Sequence, residues 1–167
     1  MTATQLLQAV GPELRDEIIT YIQTQERAAY RVVIQNLSAA RRLRPVFVQK
    51  KTKAEQAVWV ADQLKLKSSE DITAQLLQIW LIKGQQEMLV TFLDAVGIEH
   101  DGKGEVQDLP EEIEEDKADA GVAALMEKFP AKKVALYLFM FQLQKPDGWD
   151  GLKKAIEKNP ELKLEVA

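Results

Sequence analysis

The sequence predicts an all-α fold, and three of its features support that prediction. Apolar residues recur every three or four positions along several stretches, which is the spacing of one helical face. Glycine and proline are scarce, with 8 and 6 residues among 167, and they fall between these stretches. Signals for helix ends are also present, including a capping pattern at Ser68 and Asp71 and a terminal glycine at Gly97. We expect six to seven helices, arranged as a helical bundle or as a short helical-repeat (solenoid-like) array with an acidic linker.

The N-terminal part of the chain carries one long apolar stripe. Pro12 suits a first helical turn, because the N–H that it lacks would be unpaired there. From this residue the pattern predicts a helix that runs to Leu43, with a polar gap at residues 25–26. Because Arg44 precedes Pro45, helical dihedral angles are disfavoured at Arg44, and the helix is expected to end there.

Shorter patterns predict the remaining helices. Residues 46–48 are ambiguous between a linker, a first helical turn and a short strand. A second helix is expected over residues 53–66, a third ends near Gly84, and a fourth finishes at Gly97. Later helices are expected over residues 120–128, 130–144 and 149–158, with Pro146 and Pro160 as stops.

An acidic segment separates the two groups of helices. Between Ile98 and Asp119, 10 of 22 residues are Asp or Glu, and few are apolar. Such a composition is typical of a solvated, mobile connection. We therefore expect a long helix and a first helical unit in residues 1–97, an acidic flexible linker in residues 98–119, and a second helical unit in residues 120–167.

A weak internal repeat relates the two predicted units. Shifted by 62 residues, Val60 falls on Val122, Leu76 on Leu138 and Ile79 on Phe141. A duplication would give two stacked helix triplets, over residues 58–97 and 120–159, of the kind found in solenoid proteins. The alternative is coincidence, since any two amphipathic stretches can be slid into apolar register.

Composition narrows the functional classes. The chain has no cysteine, which fits a reducing compartment and excludes thiolate metal sites and thiol catalysis. The N-terminal residues lack the features of a secretion signal, and the longest apolar run, residues 134–141, is too short to span a bilayer. The expected location is cytoplasmic, with no membrane partner.

Three motifs near the acidic segment are incomplete. Gly97, Gly102 and Lys103 match most of a phosphate-binding loop, but Gly104 stands where Ser or Thr would reach Mg²⁺. The acids from residue 101 to residue 112 are spaced like a calcium loop, with lysine at one ligand position. The single histidine, His100, is not accompanied by a nucleophile motif for which it could act as the catalytic base. No cofactor, metal or catalytic residue is therefore assigned.

One region is locally basic. From Arg27 to Lys53 the chain has eight basic residues and no acidic one. Such a region is typical of a site that binds nucleic acid or an acidic partner. Three other interpretations are open. They are favourable interaction of the arginines with the C-terminal end of a helix dipole, solvation of an exposed face by the basic side chains, and docking of the region onto the acidic segment of the same chain. The candidate residues for binding are Arg41, Arg42, Arg44, Lys50, Lys51 and Lys53.

Aromatic residues supply a second candidate interface. Tyr137, Phe139, Met140 and Phe141 give one helix more apolar surface than a single face needs. A buried core is the expected place for most of them, and an exposed remainder would mark an interface. Trp80 and Phe139 are the candidate partner anchors.

The expected function is that of a non-catalytic helical interaction module, an adaptor or regulatory protein whose partner is another protein. The alternative is nucleic-acid binding through residues 27–53. A third hypothesis is that the protein is an enzyme that uses carboxylates on helix faces, such as Asp62 or Asp94. The sequence leaves the oligomeric state open.

Overall fold

A computed structural model describes residues 1–165 of the protein, and every regular element in that range is helical. The all-α class is confirmed, but the expected number of six to seven helices is too low. Ten α-helices are present, together with two short 3₁₀ turns. They are α1 (Ala3–Ala9), α2 (Pro12–Gln25), α3 (Arg27–Ala40), α4 (Pro45–Gln49), α5 (Lys53–Leu64), α6 (Glu70–Gly84), α7 (Gln86–Val96), α8 (Glu115–Lys128), α9 (Ala131–Gln142) and α10 (Asp150–Glu157).

The helices form two compact units. Within the described residues, unit 1 is Met1–Trp80 and unit 2 is Leu81–Glu165. The division therefore falls inside α6, whereas the sequence analysis placed it in the acidic segment. Residues 98–119 belong to unit 2, and residues 166 and 167 of the predicted second helical unit lie outside the described range.

The additional helices in unit 1 have identifiable local causes. α1 begins at a capping box in which Thr2 and Gln5 satisfy each other's backbone N–H groups. The long N-terminal helix is divided at Glu26, whose φ of −125° and ψ of 60° are not helical. This division coincides with the polar gap in the sequence and allows α2 and α3 to pack against each other.

The core of unit 1 is built from the apolar stripes of its helices. α2 buries one face against α5, and α3 packs against α2, α4 and α5. Removal of these side chains from water is the main favourable contribution to folding. The fully buried residues include Ile18, Ile19 and Ile22 of α2, Leu37 of α3, and Val60 and Leu64 of α5.

Unit 2 has an aromatic core. α8 packs against α7, α9 and α10. Phe92 makes edge-on contacts with Tyr137 and Phe141, with ring centroids 5.5 and 5.3 Å apart, and Phe141 lies 5.0 Å from Trp149. Such offset and edge-on arrangements are the favourable geometries for aromatic pairs.

The acidic segment is only partly irregular. Residues 98–114 contain no helix, but Glu115–Asp119 form the first turns of α8, where acidic side chains suit the positive end of the helix dipole. The end of the irregular part is held in place, since Trp149 Nε1 donates to the Pro110 carbonyl at 2.9 Å and Ile113 is buried. The structure thus differs from the predicted linker at these positions.

The helix boundaries bear on the predicted repeat. A shift of 62 residues carries Lys53, the first residue of α5, onto Glu115, the first residue of α8. α6 and α7 fall on α9 and α10 to within two residues at their starts. Leu76 and Leu138 are both buried, but buried Leu81 corresponds to Leu143, which is 55% exposed. The order of helices matches, while the pattern of burial matches only in part.

Within the described residues, the helices include none with both the length and the apolar character needed to cross a membrane.

Candidate interaction surface

The six candidate basic residues lie in one continuous exposed stretch of unit 1. We call Arg41–Lys53 the basic segment. It includes the C-terminal cap of α3, all of α4 and the first residue of α5. Its basic side chains, Arg41, Arg42, Arg44, Lys50, Lys51 and Lys53, are all exposed, and Val48 is its single buried residue. The segment therefore lies across the surface of unit 1 with one apolar anchor.

α3 ends in a Schellman motif with arginine at the left-handed position. The N–H of Leu43 donates to Ser38 O at 2.9 Å, and the N–H of Arg42 donates to Ala39 O at 3.0 Å. Arg42 has a φ of 56°, a conformation that glycine adopts freely and other residues adopt at a cost of about 1–2 kcal/mol. Arg42 is the one non-glycine residue with positive φ in the described chain.

The basic segment also exposes three large apolar side chains. Leu43 is 40% exposed, Val46 is 43% exposed and Phe47 is 59% exposed. Pro45 occupies the first turn of α4 and fixes its start, while Val48 is the residue that turns inward. We refer to Leu43, Val46 and Phe47 as the apolar trio. Sequence reasoning left residues 46–48 ambiguous and did not identify Leu43 or Val46 as part of a candidate site.

Side-chain amides hold the backbone of the segment. Gln56 Nε2 donates to the carbonyls of Gln49 and Lys51, each at 3.3 Å. Gln23 Nε2 donates to Lys53 O at 3.0 Å, and the Thr52 hydroxyl accepts from Glu55 N at the start of α5. These bonds fix the course of the chain between α4 and α5. Nothing in the residue pattern singled out the two glutamines.

A buried tyrosine extends this network below the segment. Tyr30 is buried, and its hydroxyl lies 3.3 Å from Gln23 Nε2 and 3.5 Å from Gln56 Oε1. Burial raises the pKa of Tyr30 to about 12, although the hydrogen bond from Gln23 lowers it. The hydroxyl is therefore neutral at physiological pH and serves as a structural hydrogen-bonding group.

The positive charges of the segment are not neutralised within unit 1. Arg41 Nε donates to the neutral Gln63 Oε1 at 2.7 Å. The ion pair between Lys65 and Asp62 of unit 1, at 3.3 Å, does not involve the segment. Since no acidic residue occurs between Glu26 and Glu55, the local charge is strongly positive in a chain whose net charge is −4.

The aromatic candidates are less accessible. Trp80 is only 1% exposed, so its side chain is not presented on a surface, and Phe139 is half-buried. Of the neighbouring residues, Tyr137 and Phe141 are in the core of unit 2, and burial raises the pKa of the Tyr137 hydroxyl far above its usual value.

The motifs around His100 form a compact turn. His100 Nδ1 accepts from Gly102 N at 3.0 Å, so its Nε2 carries the proton and donates to Asp94 at 2.7 Å. Asp101 accepts from the backbone N–H groups of Lys103 and Glu105, which lower the pKa of its carboxyl. Gly97 is the left-handed cap of α7 and not part of a strand-to-helix phosphate loop. Among residues 1–165, no three His, Cys, Asp or Glu side chains are grouped to hold a metal ion.

Comparison of the chain with protein-family models, with curated proteins and with solved structures found no match.

Proposed function

We propose that the protein is a non-catalytic helical interaction module, an adaptor or regulatory protein that binds a partner through the basic segment of unit 1. One observation carries the proposal. The segment presents six basic side chains and the apolar trio on an exposed backbone whose course is fixed by hydrogen bonds. Unneutralised positive charge beside exposed apolar surface is typical of a recognition site.

The surroundings of the titratable groups support a non-catalytic role. Catalysis by acid–base chemistry needs a group with a tuned pKa in reach of a substrate. Both ring nitrogens of His100 are engaged, and Asp62 forms an exposed ion pair with Lys65. The absence of cysteine from the sequence supports a cytoplasmic location as part of this proposal.

Nucleic-acid binding through the same segment is the second candidate function. The observation that favours it is Phe47, which is 59% exposed and lies between Arg44 and Lys50. An exposed aromatic ring beside basic side chains is the arrangement used to stack bases while contacting phosphates.

We also propose that α5–α7 and α8–α10 arose by duplication of a helix triplet, in a short helical-repeat architecture. The matching helix starts under the 62-residue shift support this. A crystal structure in which the two triplets superpose with Leu76 on Leu138 would support the duplication, and a different helix crossing geometry would contradict it.

Affinity capture from a native lysate, with mass spectrometry, tests the function. The baits are the wild-type chain, the double variant Lys50→Glu/Lys51→Glu, and the control double variant Lys153→Glu/Lys154→Glu. The control reverses the charge of two adjacent exposed lysines in unit 2. A protein partner that survives nuclease, is lost with the first variant and is kept by the control supports the interaction module. Loss of every partner on nuclease treatment favours nucleic acid, and equal capture by all three baits contradicts a role for the segment.

A further inference from the structure

We propose that the partner of the basic segment is an acidic protein segment that carries apolar side chains between its carboxylates. This inference rests on the proposed function and adds the chemistry of the partner. The segment offers two kinds of surface at once, since its basic side chains are exposed and Leu43, Val46 and Phe47 lie between them. A partner that matches both must supply carboxylates and apolar groups within a few residues of one another.

The geometry of α4 sets the spacing. Val46 and Lys50 are four residues apart, and the N–H of Lys50 bonds to Val46 O at 3.0 Å, so the helical turn continues through Lys50. Side chains four residues apart on a helix are neighbours. An apolar side chain and an ammonium group are thus presented together. Leu43 lies between Arg42 and Arg44 in the sequence, and all three residues are exposed.

The apolar trio also favours a protein segment over a nucleic acid. Half to two-thirds of protein hydrogen bonds to DNA go to phosphate and sugar, for which the basic side chains alone suffice. Phe47 can stack on a base, but Leu43 and Val46 have no comparable role against a phosphate backbone. Against an amphipathic acidic peptide, all three side chains lose exposed apolar area.

The backbone of the basic segment is already ordered before a partner binds. Its backbone is fixed by Gln23 and Gln56 on one side and by the Schellman motif at Arg42 on the other. A surface that is already ordered loses little conformational entropy on binding. Any ordering cost of binding then falls mainly on the partner segment.

Fluorescence anisotropy with synthetic probes tests the inference. The first probe is a labelled peptide of about sixteen residues in which every fourth residue is Leu and the others are Glu, so that apolar side chains recur at helical spacing. The second has Ser in place of each Leu and the same charge. The third is a single-stranded oligonucleotide with a matching number of phosphates, and the fourth is vesicles of phosphatidylserine and phosphatidylcholine.

We expect the Leu peptide to bind the full-length chain about tenfold more tightly than the Ser peptide, a difference of about 1.4 kcal/mol. Leu43→Ser and Phe47→Ser should each remove most of that difference. Leu143→Ser, a matched change at a leucine that is 55% exposed in unit 2, should leave it unchanged. Lys50→Glu/Lys51→Glu should abolish binding of both peptides, because both are recognised through their charge.

Other outcomes overturn the inference in distinguishable ways. Equal binding of the Leu and Ser peptides refutes the apolar component and leaves an acidic partner for the segment. Tighter binding of the oligonucleotide or of the vesicles, lost in Lys50→Glu/Lys51→Glu, refutes a protein segment while keeping the basic segment as the binding site. Absence of binding to any probe contradicts the inference, and the lysate capture then decides the proposed function separately.

Discussion

The carboxylate of Glu70 accepts hydrogen bonds from both the backbone N–H and the hydroxyl of Thr4, at 3.0 and 2.8 Å. It also accepts from the N–H of Ala3. A side chain at the start of α6 thereby satisfies the unpaired donors at the start of α1, which the helix itself leaves without partners. The start of α1 is therefore capped both by its local capping box and by Glu70, a residue distant in sequence.

Removal of this carboxylate should destabilise unit 1. We expect Glu70→Ala to lower the free energy of unfolding by about 1–2 kcal/mol, as for loss of a helix cap. Asp71→Ala is the matched control, since Asp71 is also acidic and in the first turn of α6 but is exposed. Urea unfolding followed by circular dichroism provides the measurement, and equal effects of the two variants would contradict the capping role.

The stabilisation from Glu70 should depend on pH. Burial raises the pKa of Glu70, but the hydrogen bonds from Thr4 and Ala3 outweigh it, so the pKa in the folded chain is below its usual value. The contribution is therefore present above the pKa of the unfolded chain, about 4.3, and is lost as the pH falls through the folded value. The difference in unfolding free energy between wild type and Glu70→Gln should be constant above about pH 6 and should shrink below about pH 4. A difference that grows towards low pH would contradict this.

A backbone contact in unit 2 should make Gly151 intolerant of alanine. A Cβ at this position would overlap the carbonyl oxygen of Ile113, which cannot move without shifting the chain before α8. A Cβ at Gly121 would instead meet side-chain atoms of Val96 and Phe92, at 2.7 and 2.9 Å. Both glycines are helical, so both changes gain helix propensity. Gly151→Ala should nevertheless cost about 3 kcal/mol or more, and Gly121→Ala less, in thermal unfolding.

Arg42 should be replaceable by glycine with a gain in stability. Relief of the left-handed backbone strain, less the extra conformational entropy of glycine in the unfolded chain, should raise the free energy of unfolding by about 0.5–1 kcal/mol, or Tm by about 1–4 °C. The control is Arg41→Gly, where φ is −100° and no relief is available. Arg41→Gly also removes the bond to Gln63 and should lower Tm. A lower Tm for Arg42→Gly would show that the arginine side chain itself stabilises the fold.

Proteolysis should be confined to a short part of the acidic segment. Residues 101–105 form a hydrogen-bonded turn, and Pro110 and Ile113 are held by Trp149 and α10. A protease that cuts after acidic residues should therefore cleave first after Glu105 or Asp108, and much more slowly after Glu111, Glu112 or Glu114. Mass spectrometry of the early fragments locates the cuts. Early cleavage after Glu112 or Glu114 would contradict the anchoring.

Local chemistry explains which parts of the fold were predictable. Helix ends set by a single residue, such as the glycine that caps α7 or the proline that starts α2, were located from the sequence to within a residue or two. The division at Glu26 was not expected as a helix end, because neither glycine nor proline marks it and the packing of α2 on α3 favours it. The capping pattern of Thr2 and Gln5 was available in the sequence and was missed.

The charge of the candidate site was predictable from the sequence, but its exposed apolar side chains and its backbone conformation were not. The basic residues were identified from composition alone. The exposure of Val46 and Phe47 depends on which residue of α4 turns inward, and a helix of five residues is too short for periodicity to decide this. The left-handed conformation of Arg42 has no sequence signal, since glycine is the usual residue there.

The anchoring of Pro110 and Ile113 also determines where the chain tolerates a change of length. Insertions among residues 106–109 only lengthen a loop whose ends stay fixed, at a cost of about 0.6 kcal/mol for each doubling of its length. An insertion between Pro110 and Glu115 would instead move Ile113 out of its buried position and shift the chain past Gly151. An epitope tag or a fluorescent label is therefore best accommodated after Asp108, and natural variation in length is expected at the same place.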